Sequence, residues 1–305
     1  RLLINHLNVI AGPTDVRKTK TAICLAQHFK TEIVSADSRQ IFMETKIGTA
    51  VPSDEELQAA KHYLIGTRHI SEYYNAWLYE QEALETITHI FENHDIAILA
   101  GGSGLYVDAV CSGIDEIPDI EPSLRKKVNQ QFEAEGVMGL RQTLKLLDPE
   151  YYSIVDLQNP VRLKRAIEIC LQAGKPYSEL RQSQKRNRPF NIIKVALNLP
   201  REELYERINL RVDQMIASGL EQEVKQLEPL KECMALKTVG YRESFDYFDA
   251  KCTKEEAIEK IKQNTRKYAK KQITWLKRNN DYTWFSPTNL PQIIAHISTQ
   301  IEKIK

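Results

Sequence analysis

Apolar positions along this chain fall into short blocks separated by longer stretches with helical spacing. Runs at 7–11, 33–36 and 96–100 are too short for helices and largely apolar, as expected of strands buried on both faces. Between them, 21–29 and 76–91 carry helical periodicity, the second with Trp77, Leu84, Ile87 and Phe91 expected on one stripe. Ser53-Asp54-Glu55-Glu56 is a capping box and predicts a helix start. Strands alternating with helices predict an α/β fold built on a doubly wound parallel sheet.

The pattern changes at Pro122. From there to about Arg188 only helical spacing is found, including a helix with Asn159 as N-cap, Pro160 at its first position and Gly174 at its end. Residues 191–199 again read as a strand, and long helices are expected over 202–218 and from Lys254 to about Arg278. The expected organisation is therefore a discontinuous core, 1–120 and 190–305, interrupted by an all-helical subdomain over 121–189.

Composition narrows the class. With 42% hydrophobic and 27% charged residues in 305, the chain reads as an ordinary globular protein. No apolar stretch approaches a membrane span, and Arg1-Leu2-Leu3-Ile4, broken by Asn5 and His6, reads as the approach to a strand and not as a signal peptide. The five cysteines have no metal-ligand spacing, so reduced thiols and a cytoplasmic setting are expected. A net charge of +1 conceals two basic stretches: 260–278 has eight Lys/Arg and no acid, and 162–188 has eight against Glu168 and Glu179. Each is either a solvated helix face or a surface for a polyanion.

Candidate chemistry sits at the ends of the predicted strands. After the first comes Gly12-Pro13-Thr14-Asp15-Val16-Arg17-Lys18-Thr19, a variant of the loop whose amides, lysine and hydroxyl cradle phosphate and magnesium. Arg17 replaces its second glycine, and Asp15 adds a negative charge, so weakened anion binding is expected. The second strand ends in Ser35-Ala36-Asp37-Ser38-Arg39-Gln40 and the third in Gly101-Gly102-Ser103-Gly104-Leu105-Tyr106. A carboxylate such as Asp37 can be a general base, although in isolation a turn cap is the commoner role. Arg211 falls on the apolar seam of Leu204, Ile208 and Met215, where it requires either an internal carboxylate or a phosphate. Tyr268 and Trp275 are expected in the core.

Read in order, GPTxxxKT, SADSRQ, IGTAVPS, GGSGLY, NPVRLKRAIEI, AGKPYSELR, RVDQMIASGLEQEV, TVGYRE and QNTRKYAKKQITWLKR resemble the tRNA dimethylallyltransferases over nearly the whole chain. The resemblance implies a P-loop NTPase-like core, Mg2+, and transfer of a dimethylallyl group from its diphosphate to N6 of an adenosine beside the anticodon. It implies Asp37 as general base, Arg211 and the loop from Gly12 to Thr19 on the diphosphate, Thr19 on magnesium, and Ser103 at a position usually held by threonine. Contacts to the tRNA anticodon stem-loop are implied for Asp37, Ser38, Arg39, Gln40, Ser103 and Arg125. They are also implied for Val161, Arg162, Leu163, Lys164 and Arg165, for Lys237, Thr238, Val239, Gly240, Tyr241 and Arg242, and for Lys271, Gln272 and Arg278. The resembling loop has Ala-Ser-Gly where this chain has Asp15-Val16-Arg17. A monomer is expected. Alternatives are a tRNA-binding relative with weakened chemistry, a P-loop small-molecule kinase, and a transferase acting on free adenine nucleotides.

Overall fold

A computed structural model describes residues 4–181 and 185–304. Arg1, Leu2 and Leu3 of the expected strand approach, and Gln182 to Gln184 within the second basic stretch, lie outside the described residues. The chain forms two compact units, Arg1–Ser112 with Asn187–Lys305, and Gly113–Arg186.

The first unit is built on strands β1 (His6–Ala11), β2 (Ile33–Ser35), β3 (His62–Tyr63), β4 (Ile96–Gly101), β5 (Asn191–Leu197) and β6 (Thr283–Phe285). They form one sheet in the order β3-β2-β4-β1-β5-β6, and every pair is parallel. Every residue of β1 is buried, as a central parallel strand requires. Helices α1 (Lys18–Phe29), α2 (Asp54–Ala59), α3 (Ala76–Phe91) and α4 (Gly104–Ser112) alternate with the early strands. The capping box at Ser53 and Glu56 is formed in both directions.

The stripe expected on α3 is displaced. Its buried residues are Ala76, Tyr79, Glu80, Ala83, Ile87 and Ile90, while Trp77, Leu84 and Phe91 are only half-buried. The polar members of this face are satisfied internally. Tyr79 donates its hydroxyl hydrogen bond to Ser35 O at 2.8 Å, and Glu80 pairs with Arg188 at 2.7 Å.

The second unit contains α5 (Pro122–Leu147), α6 (Pro149–Ile154), α7 (Pro160–Ala173) and α8 (Tyr177–Leu180). Helix α5 breaks at Gly136, whose φ of 63° suits glycine. A core of Val128, Leu140, Leu144, Leu163, Ala166 and Ile167 joins α5 to α7. Asn159 caps α7 by accepting from Arg162 N, and Gly174 ends it in the left-handed region.

The chain then completes the first unit with α9 (Arg201–Ala217), α10 (Leu220–Gln226), α11 (Tyr241–Phe248), α12 (Lys254–Lys277) and α13 (Leu290–Glu302). Its main core combines Ile10 and Val195 of the sheet with Ile23 of α1, Leu204 and Ile208 of α9, and Ile293 and Ile297 of α13. No helix among the described residues is long and apolar enough to cross a membrane.

Candidate active site

Because β2, β4 and β1 are neighbours, the three loops that follow them lie side by side at the carboxyl edge of the sheet, where open α/β sheets place their ligand sites. The 12–19 loop is fixed by several grips. Val16 is fully buried in the main core, Lys18 Nζ donates to Pro13 O at 2.6 Å, and Thr14 N donates to Gln272 Oε1 at 2.8 Å. The side chain of Val16 therefore anchors the loop and does not face an anion. The N–H groups of Lys18, Thr19 and Lys20 open α1, have no helical partner by geometry, and receive no side-chain cap from Arg17.

Arg17 does not crowd the loop with its side chain. It occupies the left-handed region at φ 72°, where a glycine would be unstrained, and its side chain is exposed. Asp15 is left-handed as well, at φ 64°.

Asp37 Oδ1 accepts from Arg39 N at 2.8 Å and Gln40 N at 3.2 Å, so the carboxylate caps its own turn. Among the described residues no donor engages Oδ2. Ser103 Oγ accepts from Ser38 N at 2.9 Å and donates to Ser38 Oγ at 3.1 Å, which links the second and third loops. Gly101 allows this convergence, since a Cβ there would lie 2.1 Å from Ala36 O. Gln272 completes the set: its Nε2 donates to Gly102 O at 2.9 Å while its Oε1 holds Thr14 N. One buried amide thus spans two loops.

Two parts of this neighbourhood were not assigned to the site from sequence: Tyr268, expected in the core and only half-buried, and Tyr79. Tyr268 lies one turn before Gln272 on α12; burial raises its phenol, and the charge of Asp37 raises it further. Tyr79 and Tyr106 stack at 4.1 Å, and in both burial is the first cause of a raised phenol, with Asp37 contributing. Helical spacing from Gln272 could have flagged Tyr268. Nothing in the sequence singled out Tyr79.

A cavity of about 750 Å³ opens beside these loops, lined by Lys18, Thr19, Asp37, Arg207 and Arg211 among others. Arg211 Nη1 pairs with Asp15 Oδ1, so the internal carboxylate considered for this arginine is present and comes from the unusual loop itself. The buried seam of α9 is Leu204, Ile208 and Val212; Met215 is only half-buried. Arg207 Nε donates to Asp15 O at 2.9 Å, and its guanidinium is lowered by burial and then by neighbouring Arg17. Burial lowers the Lys18 ammonium to about 8, with Asp37 and Asp15 opposing and Arg211 adding to the shift.

The positions implied to touch RNA divide by exposure. Arg162, Lys237, Arg242, Lys271 and Arg278 are exposed, as is Val161 at 70%. Leu163 is core in the second unit, Lys164 donates to Asn129 Oδ1 at 3.0 Å, Arg165 is half-buried, and Arg125 approaches Glu168 at 4.0 Å. Tyr241 is fully buried and donates to Glu223 Oε1 at 2.6 Å, while Gly240 caps α11 through its N–H to Glu243. Arg39 donates to Gly48 O and Val239 O, and Gln40 to Thr49 O and Ala50 O. Thr238 is half-buried. Leu163, Tyr241 and Gln272 therefore offer no side chain to a partner at the surface. Arg188, at the end of the second basic stretch, is likewise internal: it binds Glu80, Val110 O and Ala109 O.

An all-parallel sheet with this loop after its first strand, and a cavity where Arg17, Lys18, Lys20, Arg207 and Arg211 outnumber Asp15, Asp37 and Glu56, defines a protein of the P-loop class with a cationic strand-end site. Residues 40–279 match the IPP transferase family. The chain is 49% identical over 309 residues to the tRNA dimethylallyltransferase of Flavobacterium johnsoniae, covering 99% of each. It is 48% identical over 294 residues to tRNA dimethylallyltransferase 1 of Bacteroides thetaiotaomicron, covering 96% of each. Among solved structures, the tRNA isopentenylpyrophosphate transferase of Bacillus halodurans superposes with a TM-score of 0.73 at 33% identity, over 98% of this chain and 97% of that one. A eukaryotic dimethylallyltransferase acting on tRNA gives 0.78 at 27% identity, over 97% of this chain and 77% of that one. The chain belongs to the IPP transferase family of tRNA dimethylallyltransferases.

Proposed function

We propose that this prenyltransferase moves the dimethylallyl group of dimethylallyl diphosphate to N6 of the adenosine next to the anticodon of tRNA. The observation that carries the reading is one cavity at the neighbouring ends of β1, β4 and β2, lined by Lys18, Thr19, Gly101 and Asp37, with Arg211 lining it from α9. In the reaction the N6 lone pair forms a bond to the allylic carbon, the carbon–oxygen bond breaks, and its electron pair leaves with the diphosphate. The N6 proton goes to Asp37, whose Oδ1 is committed to the turn while Oδ2 has no donor among the described residues.

Lys18, Arg211 and the first amides of α1 hold the diphosphate and meet the charge that develops on it. The α1 amides are fixed by the helix, whereas Lys18 Nζ and Arg211 must give up Pro13 O and the Asp15 carboxylate to reach the anion. The donor set fits a magnesium ion. Thr19 and Asp37 line the same cavity, and Mg2+ needs few protein ligands when water and phosphate oxygens supply the rest. When bound, it neutralises charge on the leaving diphosphate. Exposed cations on α12 and the helical unit with Arg162 support an anticodon stem-loop as partner, since splayed loop bases can enter a protein pocket.

Single-turnover reactions with tRNA and dimethylallyl diphosphate, read by mass spectrometry of the nucleosides, test the proposal. The wild-type chain is expected to yield N6-dimethylallyl adenosine, and Asp37→Asn to lose at least about a hundredfold in rate with tRNA affinity unchanged. Near-normal turnover by Asp37→Asn would defeat the base assignment. A wild-type chain yielding no product would defeat the whole reading.

A further inference from the structure

Asp15 is the acidic member of the 12–19 loop, and its carboxylate lies against Arg211, a cation lining the cavity. The Asp15 side chain is only 5% exposed while Arg211 is 31% exposed, so the carboxylate is shielded from water and the guanidinium still reaches the cavity. The Asp15 main chain is held from the same helix, by Arg207 Nε on Asp15 O at 2.9 Å. The φ of 64° is one that aspartate and asparagine tolerate better than most residues, so the conformation that aims the carboxylate at Arg211 carries little strain. Two positions on, Arg17 places an exposed cation close enough to Arg207 to lower its guanidinium, after burial. The loop thus carries one added acid on Arg211 and one added base beside Arg207. The cationic character of the cavity is moved towards Arg17 and Arg207 and is not lost.

We infer that the Asp15 carboxylate is an internal occupant of the diphosphate site, competing with the substrate's diphosphate for Arg211 and setting its affinity. The inference rests on the diphosphate site proposed above. A diphosphate reaching Arg211 must either displace the carboxylate from a charge-assisted pair or sit beside a like charge, and both weaken binding. Arg17 and Arg207 then give the anion a first foothold while Arg211 is still covered. Asp15 is an affinity-determining residue in this reading and takes no part in proton transfer.

Calorimetric titration with inorganic pyrophosphate and magnesium tests this without turnover. The proteins are the wild type, Asp15→Asn, Asp15→Gly, Arg211→Gln, Asp15→Asn with Arg211→Gln, and Lys18→Met. Asn keeps shape and backbone and removes the charge, and Gly does so with no side chain at all. Both are expected to bind pyrophosphate roughly tenfold tighter, the scale of one charge-assisted hydrogen bond. Arg211→Gln should cost little in the wild type and clearly more in the Asp15→Asn background, where the arginine is free to meet the ligand. If Lys18→Met loses binding while Asp15→Asn and Asp15→Gly match or fall below wild type, the site stands and the competition is wrong. If no protein binds, or Lys18→Met binds as wild type does, the diphosphate reading fails and this inference with it. Melting curves accompany each variant; loss of folding in both Asp15 variants would make the carboxylate a structural strut and overturn the competition.

Discussion

Lys18 lies in an unusual protonation range. Burial brings its ammonium down to about 8 from the usual 10.5, because the charged form loses water that Asp37 and Asp15 only partly replace. Between those values the unfolded chain binds a proton that the folded chain has released. The lysine's penalty on the folded state is therefore full below about 8 and fades as pH rises towards 10.5. An anion bound at Lys18 favours the charged form, so diphosphate affinity is expected to hold up to about pH 8. Above that it should fall by up to about tenfold per pH unit. Michaelis constants for dimethylallyl diphosphate across pH 7 to 9.5 check this, and Lys18→Met should bind more weakly at every pH and show no break. At this scale the sequence revealed the lysine, the hydroxyl and the missing glycine, since all lie in one contiguous motif. It could not reveal that Asp15 meets Arg211, because that pair closes across 196 positions. Nor did it reveal that Val16 points into the core, since a loop position carries no periodicity from which to read a direction.

Helix α12 shows how one element can serve two surfaces. Ala257, Ile261, Ala269, Gln272 and Leu276 are buried, whereas Lys260, Lys267, Lys270, Lys271, Lys277 and Arg278 are exposed. Lys262 is drawn off by Asp213 at 2.8 Å, and Arg266 by Asn209, so not every cation of the stretch is available. Trp275, half-buried and not fully core, donates to Asp108 Oδ2 at 3.0 Å and lies so close to Gly104 that a Cβ there would fall 2.4 Å from its ring. Replacing Lys271 and Arg278 together with alanine is expected to lower tRNA affinity and to flatten the dependence of log Kd on log salt by at most about two counterions. Titrations from 50 to 300 mM salt measure it; an unchanged slope would mark both as a solvated face. Strands β1, β2, β4 and β5 and helices α1, α3, α7, α9 and α12 were legible because their apolar spacing is regular, whereas α13 was not named although Ile293, Ile297 and Ile301 repeat every four residues. Strands β3 and β6 were not, at two and three residues. The phase of α3 was misjudged for a different reason: its buried face includes Tyr79 and Glu80, whose burial depends on partners far away in sequence.

Across the whole molecule, the first unit is closed by segments from both ends of the chain. The pairing of β1 with β5 joins His6–Ala11 to residues 191–196, and the Glu80–Arg188 pair ties α3 to the segment that returns to the sheet. That pair is almost entirely buried, with Glu80 at 0% and Arg188 at 9% exposure. Glu80→Ala would strand the guanidinium, and a loss of about 3–5 kcal/mol is expected, while replacing both partners with leucine and methionine should recover much of it. Urea denaturation midpoints of the single and double variants decide the matter. Arg188 falls within a basic stretch of the sequence, and composition cannot tell a strut from a solvated charge. Val16 has a wider consequence. Its side chain is locked by volume in the same core as Ile10 and Ile23, while its neighbours Asp15 and Arg17 turn towards the cavity and the solvent. The loop can therefore drift in charge on either side of a fixed hydrophobic pivot. Descendants of this chain could exchange acid and base at 15 and 17 and retune the site without rebuilding the loop's path, whereas a large or charged residue at 16 would not fit the core that Val16 fills.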